Sequence, residues 1–251
     1  VVYVKDGGLG RVRNMSGGYD ETDILTGATC SAYPEEIVCI VGESGCGKTT
    51  LLKAVLGLVE SHRGHIFLFD KEIAALDEHE RQEQLLRVGV LFQNGALLAS
   101  MNIEENISVA LEQHTALPED VRRRMVEVKL DLVNLSGVQE KLPAELSGGM
   151  KKRAALARAL IMDPEIVFLD EPSAGLDPVT SAALDQLILS LRDRLNTTFV
   201  VVTHELASIS TIANRIVFLD KGRVVFEGTL EEARSSEEEG LVRFFSRQAP
   251  E

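Results

Sequence analysis

The stretch from 37 to 58 most narrowly limits what this chain can fold into. An apolar, β-branched run, IVCIV at 37–41, leads into the glycine-rich loop GESGCGKT at 42–49, and KTTLLKAVLGL follows with helical spacing. A strand, a loop of small residues and a helix in that order bring backbone N–H groups and a helix N-terminus to one point, where they can bind phosphate. The alternative is a chance glycine turn, which the flanking strand and helix disfavour.

The loop predicts a role for each of its residues. Gly42 and Gly47 permit the turn and a close backbone approach, and the amides from about 45 to 50 can surround the α- and β-phosphates of a nucleotide. Lys48 reaches the β- and γ-oxygens, and the Thr49 hydroxyl can ligate Mg²⁺. The candidate nucleotide-binding residues here are Gly42, Ser44, Gly45, Cys46, Gly47, Lys48, Thr49 and Thr50.

Short apolar runs alternate with helical patterns along much of the chain, which predicts an α/β fold with a mostly parallel sheet. Besides 37–41, strands are expected at about 88–92, 166–170, 198–203 and 215–220. Gln93, Asp170 with Glu171, and His204 stand at the ends of three of these strands. Since ligands of open α/β sheets bind at the carboxyl ends of the strands, we expect these side chains to converge on the phosphate loop. A lone Gln or His at a strand end is also often structural.

Composition limits the classes of partner. The apolar runs are too short to cross a bilayer, and a formal charge of -13 argues against a general nucleic-acid binder, which needs clustered Lys and Arg. The three cysteines show neither metal spacing nor a disulfide framework, which favours a reducing cytosol. The N-terminus, VVYVKDGGLG, lacks the pattern of a signal peptide.

The chain is predicted to form a single domain with an insertion. The core comprises about 1–93 and 160–230, a helical insertion spans about 94–159, and a C-terminal extension covers about 231–251. Between Ser100 and Ala144 the pattern is helical, with no convincing strand. Within the insertion, LSGGM at 146–150 precedes the helical pattern KKRAALARAL and forms a second anion-receptive helix start. The alternative interpretation of LSGGM is that Gly148 and Gly149 only interrupt regular structure before a helix.

The order of these motifs resembles the ATP-binding cassette (ABC) family, and the resemblance covers nearly all of the chain. It implies a P-loop NTPase fold of ABC type with a β-rich N-terminal part and a helical signature subdomain. GESGCGKTT corresponds to the phosphate loop, Gln93 to the Q-loop glutamine, LSGGM to the signature, IVFLDE to the metal-and-base strand and SAGLD at 173–177 to the D-loop. Tyr19 stands where the family stacks an aromatic ring on adenine, and His204 is the switch histidine.

The resemblance implies a mechanism with ATP and Mg²⁺. Two copies pack head to tail, so Ser147, Gly148 and Gly149 of one copy face the γ-phosphate held by the other. Glu171 orients or deprotonates water, with Lys48, His204 and Gln93 as further catalytic residues. Thr49, Gln93 and Asp170 hold the metal, and Asp177 couples the two half-sites. Met150 replaces the usual Gln of the signature, which puts in doubt any ribose contact there.

The insertion narrows the resemblance to the ATPases of Mla-type phospholipid transporters, through QNGALLASMNIEENISVAL, EQHTALP and KLPAELSGGMKKRAALARAL. This implies a peripheral protein on the cytoplasmic side of the inner membrane. Its partners would be a second copy, a multi-span permease, an MCE-type lipid-binding protein and a small regulatory subunit. By resemblance, 94–106 receives a permease helix, unless Leu97, Leu98 and Met101 are ordinary core residues.

Alternative interpretations remain for the tail and for the function of the chain. The tail LVRFFSRQ either reaches across to the other copy or is a packed amphipathic end helix. The basic run KKR at 151–153 is expected to be a solvated helix face. Alternative functions are the ATPase of an amino-acid or other small-solute importer, and a soluble cassette ATPase of DNA repair or translation.

Overall fold

A computed structural model describes residues 7–19 and 22–246 of the 251-residue chain. The absence of a signal peptide was predicted from the N-terminus, of which residues 1–6 lie outside the described part, as do the last five residues of the C-terminal extension. The strands are β1 (Gly10–Tyr19), β2 (Thr22–Ala32), β3 (Ile37–Val41), β4 (Ser61–Leu68), β5 (Lys71–Glu72), β6 (Val88–Leu91), β7 (Ile166–Asp170), β8 (Thr198–Val202), β9 (Arg215–Asp220) and β10 (Arg223–Thr229).

The helices lie between these strands and after them. They are α1 (Lys48–Val55), α2 (Glu78–Leu85), α3 (Ile103–His114), α4 (Glu119–Leu132), α5 (Gly148–Ala159), α6 (Pro178–Leu195), α7 (Leu206–Ile212), α8 (Leu230–Arg234) and α9 (Glu239–Ser246). Short 3-10 helices occupy Ile73–Ala75 and Pro143–Glu145. In the ranges that the structure describes, no helix combines the length and apolarity needed to span a bilayer.

The described residues form two sheets. The larger has the strand order β10-β9-β3-β8-β7-β6, with β10 antiparallel to β9 and the other neighbours parallel. The smaller is the antiparallel sheet β2-β1-β4-β5. The predicted α/β fold, with a mostly parallel core sheet and a β-rich N-terminal part, is confirmed.

The large sheet is buried on both faces, which explains why its strands are continuous apolar runs. Alternate residues of β3 enter different cores: Cys39 packs under α3 to α7, whereas Ile40 packs against α1 and the small sheet. In β8, Phe199 packs in the same core as Cys39, and Val200 packs in the same core as Ile40. Because successive side chains of a strand point to opposite faces, one central sheet holds both layers together.

Helices α3 and α4 occupy the stretch from 100 to 144, which the structure describes in full and in which it contains no strand. Asn102 begins α3 with a capping box that includes Glu105. The side chain of Asn106 is fully buried, and it donates to the carbonyls of Leu98, Met101 and Asn102. This amide therefore fixes the turn that precedes α3, leaving Leu98 46% exposed.

Candidate active site

The phosphate loop connects β3 to α1 through backbone conformations that require glycine. Gly42 and Gly47 have φ values of 151° and 108°. A Cβ atom at Gly42 would lie 2.2 Å from the Leu219 carbonyl oxygen, so the loop leaves no space for a side chain there. Gly47 is the N-cap of α1 and no side chain caps the helix. The first amides of α1 are therefore available to an anion.

Lys48 and Thr49 link this loop to the neighbouring strands. The Lys48 side chain is buried, and its Nζ donates to the carbonyls of Gly42 and Glu43, at 2.9 Å each. Thr49 Oγ1 donates to Asp170 Oδ1 at 3.0 Å. Burial raises the pKa of the Asp170 carboxyl, while the hydrogen bond from Thr49 and three nearby lysines oppose the rise. The loop and the end of β7 are thus joined through a hydroxyl and a carboxylate.

Mg²⁺ fits the donor set at this junction. The hydroxyl of Thr49 and the carboxylate of Asp170 already lie within hydrogen-bonding distance of each other. In nucleotide sites Mg²⁺ is held by one or two such oxygens together with phosphate oxygens and water. In the described ranges no cluster of three or more His, Cys, Asp and Glu side chains could hold a metal. The chain alone therefore provides only part of a coordination shell, as expected when a nucleotide supplies the remainder.

The ends of three strands meet at one open cleft of about 820 Å³. Gln93, Glu171 and His204 line it together with the phosphate loop. His204 Nδ1 lies 2.8 Å from Glu171 Oε1. Glu171 has a φ of 47°, and its N–H donates to the carbonyl of Val202 at 2.8 Å. The side chains expected at the sheet edge therefore converge on the phosphate loop.

Two of the predicted nucleotide-binding residues, Cys46 and Tyr19, are not among the described residues that line the cleft. Cys46 is buried and is not among the described residues that line the cleft; burial raises the pKa of its thiol. Tyr19 ends β1 and is 45% exposed, also outside the cleft lining. Its hydroxyl accepts a hydrogen bond from Lys53 Nζ at 3.2 Å. The ring is exposed, and its stacking on adenine stays a prediction.

The second glycine loop starts α5 and lies apart from the cleft. Ser147 is the N-cap and accepts a hydrogen bond from the Met150 N–H at 3.3 Å. Ser147 and Gly148 are exposed, and none of the three residues 147–149 is among the described residues that line the cleft. A Cβ atom at Gly149 would lie 2.6 Å from Thr180 Cγ2. Gly149 is thus needed for packing, a role that the sequence did not indicate.

Asp177 forms the N-cap of α6. Its Oδ1 accepts hydrogen bonds from the N–H groups of Val179 and Thr180, at 3.1 Å each. The Thr180 hydroxyl donates to its other oxygen. These hydrogen bonds, chiefly those from Thr180, lower the pKa of Asp177. Asp177 thereby caps the start of α6 and fixes the Thr180 side chain, which lies next to Gly149 at the start of α5.

The expectation that KKR at 151–153 is a solvated face is wrong for Lys152. This side chain is only 7% exposed, and its Nζ donates to the carbonyls of Gln93 and Glu171. The helical period contains the missed signal, because Lys152 lies three and four residues before Ala155 and Leu156, which are fully buried. A lysine on the core-facing side of a helix needs partners there.

Four residues that line the cleft were also missed: Ile24, Glu43, Leu206 and Phe244. Phe244 belongs to α9, whose Leu241 and Phe244 are buried against the same chain. The ring of Phe244 meets that of Phe218 edge-on, with 5.7 Å between centroids. Of the two interpretations of the tail, these contacts agree with a packed amphipathic end helix for the described residues.

Comparisons with known proteins agree with this geometry. The family model described as ABC transporter matches residues 25–174. The intermembrane phospholipid transport system ATP-binding protein MlaF of Haemophilus influenzae is 38% identical over 233 residues, which are 93% of this chain and 88% of that protein. The probable ribonucleotide transport ATP-binding protein mkl of Mycobacterium leprae is 37% identical over 235 residues, 94% of this chain and 68% of its own.

A solved structure extends the comparison to three dimensions. A dimeric ATP-binding cassette in a post-hydrolysis state, bound to ADP and Pi, superposes with a TM-score of 0.80 at 28% identity, covering 88% of this chain and 98% of its own. The shared fold, the converged cleft and the matched motifs lead to one conclusion. The chain belongs to the ABC transporter family, as its ATP-binding subunit with ATPase activity.

Proposed function

We propose that this ATPase powers phospholipid transport between the inner membrane and the cell envelope, and that it works as a head-to-tail homodimer. Each ATP is held by the phosphate loop of one copy and the LSGGM signature of the other. The protein acts from the cytoplasmic face, bound to a multi-span permease that works with an MCE-type lipid-binding protein. A small regulatory subunit on the helical insertion completes this proposal.

The hydrolysis step assigns a role to each side chain of the cleft. Glu171 accepts a proton from the attacking water, whose oxygen bonds to the γ-phosphorus as the bond to ADP breaks. Lys48 stabilises the charge on the β- and γ-oxygens, and His204 orients Glu171 and contacts the γ-phosphate. Thr49, Gln93 and Asp170 would hold Mg²⁺, which supplies positive charge against the phosphates when bound. The amides of residues 45–50 cradle the phosphates, and Tyr19 stacks on adenine.

One observation carries the dimeric arrangement. Of the two glycine-containing helix starts identified in the sequence, one lines the cleft, while the other, at Ser147 and Gly148, is exposed and is not among the described residues that line it. A second copy can bring that exposed start to the γ-phosphate, where its N–H groups and helix dipole stabilise the transition state. The dimeric form of the related cassette bound to ADP and Pi supports this arrangement.

The lipid substrate is supported by similarity along the insertion as well as the ATP site. The relative from Haemophilus influenzae, named for phospholipid transport, matches 93% of this chain. The name of the relative from Mycobacterium leprae points instead to ribonucleotides at almost the same identity. The two names therefore point to different substrates, phospholipid in one case and ribonucleotide in the other.

The presence of a surface groove supports the proposal that a membrane-spanning subunit binds this protein. It has a volume of about 360 Å³ and runs between α2, the edge strand β6, α3 and α5. Arg158 lines the groove and donates to the carbonyls of Gly95 and Ala96 at 2.8 and 2.7 Å. The groove is therefore connected to the loop after Gln93. We assign a cytoplasmic helix of the permease as its occupant, because transport requires that nucleotide state be communicated to a membrane-spanning subunit.

Affinity purification tests the proposal. Tagged protein is recovered from detergent-solubilised membranes of its own organism, the partners are identified by mass spectrometry, and co-eluting phospholipid is assayed. A multi-span permease, an MCE-type protein and bound phospholipid are the expected result. A permease with a periplasmic solute-binding protein, and no phospholipid, would overturn the lipid assignment. A parallel purification of Arg158→Ala should lose the permease if the groove is its docking site.

A further inference from the structure

Lys152 is a buried cation that lies directly behind the residues proposed to act on ATP. It is 7% exposed, and its Nζ donates to the carbonyl oxygen of Gln93 and, at 3.3 Å, to that of Glu171. Burial lowers the pKa of Lys152, and the nearby carboxylates of Asp170 and Glu171 oppose this. Burying an ammonium group is unfavourable unless it is paired and hydrogen-bonded. The two carbonyl acceptors therefore fix the position of the Lys152 ammonium group.

The two carbonyls belong to the ends of adjacent parallel strands. Gln93 follows β6 by two residues, and Glu171 directly follows β7, which pairs with β6. One ammonium group therefore bridges two strand ends at the floor of the cleft. It fixes the spacing between the peptide units that present these two side chains.

The backbone of Glu171 is held from two sides. Its N–H donates to Val202 at the end of β8, its carbonyl accepts from Lys152, and its φ of 47° is one that L-residues seldom adopt. A non-glycine residue keeps such a conformation only where its surroundings determine it strongly. The hydrogen bond from Lys152 is one of those surroundings.

We propose that Lys152 is a positioning residue for hydrolysis, holding Glu171 and Gln93 in register and tying both to the helix that begins at the signature. Lys152 lies in the second turn of α5, five residues after the N-cap Ser147. A shift of α5 is therefore transmitted to Glu171 and Gln93 through a single side chain. This inference rests on the roles proposed above for these two residues.

Three variants test the inference. Lys152→Met preserves the length and removes the charge and donors, Lys152→Arg retains both, and Lys151→Met removes a neighbouring charge as a control. Turnover is expressed per ATP-binding-competent chain, counted by titration with a fluorescent ATP analogue, so that loss of folded protein does not appear as loss of kcat. For Lys152→Met we expect kcat to fall by roughly 10-fold to 100-fold, the scale of a small misplacement of catalytic groups.

The expected pattern distinguishes positioning from a purely structural role. Lys152→Met should leave the Kd for ATP within about twofold, since the hydrogen bonds described for Lys152 go to Gln93 and Glu171 and not to the phosphate loop. Lys152→Arg should recover most of the lost kcat, and Lys151→Met should keep the original value. Unchanged kcat in Lys152→Met, or equal losses in the Met and Arg variants, would overturn the inference. A fully active Glu171→Gln would instead refute the proposed role of Glu171, which keeps the two failures distinct.

Discussion

His204 Nδ1 and Glu171 Oε1 lie 2.8 Å apart at the edge of the large sheet, joining the segments that follow β8 and β7. The other carboxylate oxygen, Oε2, is buried and has no hydrogen-bond partner in the described part of the chain. One oxygen of Glu171 is thus oriented by the histidine while the other is left to accept a hydrogen bond. A buried polar atom without a partner is unusual in a folded protein and marks Glu171 as a candidate for a catalytic role.

Replacing Glu171 with Gln should abolish turnover while preserving nucleotide binding. The amide has the same shape and can still bond to His204, but it cannot accept the proton of water. We expect kcat to fall by at least about 100-fold, the lower range for loss of a general base. Phosphate release measures the rate, and equilibrium titration with ATP should give a Kd close to the original. Wild-type phosphate release would remove Glu171 from the mechanism.

Gly149→Ala should destabilise the protein, although alanine normally favours helices. Its Cβ atom would lie 2.6 Å from Thr180 Cγ2, so either the Thr180 side chain or the two helices must shift. Overpacking of this kind costs about 1–3 kcal/mol, measured by denaturant unfolding. Adding Thr180→Ser removes the methyl group, keeps the hydroxyl that donates to Asp177, and should restore most of the loss.

Gly148→Ala is the control for this pair. A Cβ atom there would meet Leu176 at 3.5 Å, an ordinary contact, so stability should change little. If Gly148→Ala and Gly149→Ala destabilise equally, or if Thr180→Ser gives no relief, the contact with Thr180 does not explain the need for glycine.

Asp185 should lower the free energy of unfolding at neutral pH. It is 4% exposed on α6, and burial raises its pKa, with a further rise from Glu205 and an opposing hydrogen bond from Ser208. Because its pKa is higher in the folded state than in the unfolded state, ionised Asp185 opposes folding above the folded-state pKa. That penalty disappears as pH falls below the unfolded value of about 3.9.

Asp185→Asn should therefore raise the free energy of unfolding near neutral pH, and the gain should shrink as pH falls towards about 4. Urea unfolding at several pH values measures this difference. Glu237→Gln, at an exposed position, should give no gain at any pH. A gain for Asp185→Asn that grows on acidification would contradict the direction of the pKa shift.

The packing of α9 should depend on Phe244. This ring is 8% exposed and meets Phe218 edge-on. Phe244→Ala should cost about 3 kcal/mol in the stability of the terminal helix. Amide hydrogen exchange in residues 239–246 should accelerate accordingly. The matched variant Val242→Ala, at a side chain that is 50% exposed, should leave exchange nearly unchanged. Equal protection in both variants would show that α9 is held by contacts other than Phe244.

The core sheet was predictable because its strands are buried on both faces. Such strands read as short β-branched runs, and those at 37–41, 166–170 and 215–220 match the structure, while 88–92 and 198–203 each end one residue earlier. Gln93, Glu171 and His204 were found by the same logic, since the residue after a parallel strand lies at the sheet edge.

Sequence reasoning failed where a side chain's role depends on three-dimensional packing. Lys152 looks like one of three solvated charges unless the helical period is followed, and its partners at two strand ends are visible only in the structure. Gly149 reads as part of an anion site, yet its contact with Thr180 depends on where α6 begins. Leu97 and Leu98 are adjacent and similar, but only Leu98 is largely exposed, because Asn106 fixes the turn.

The mass of the Glu171→Gln chain in solution, measured by light scattering with saturating Mg-ATP, tests the head-to-tail site most directly. We predict twice the 27.4 kDa of one chain. Adding Gly148→Glu, which places a carboxylate where the other copy's γ-phosphate would lie, should return the protein to one chain while ATP still binds. Val121→Glu, the same charge on α4, should not. A single-chain mass for Glu171→Gln, or a dimer that survives Gly148→Glu, would contradict the account.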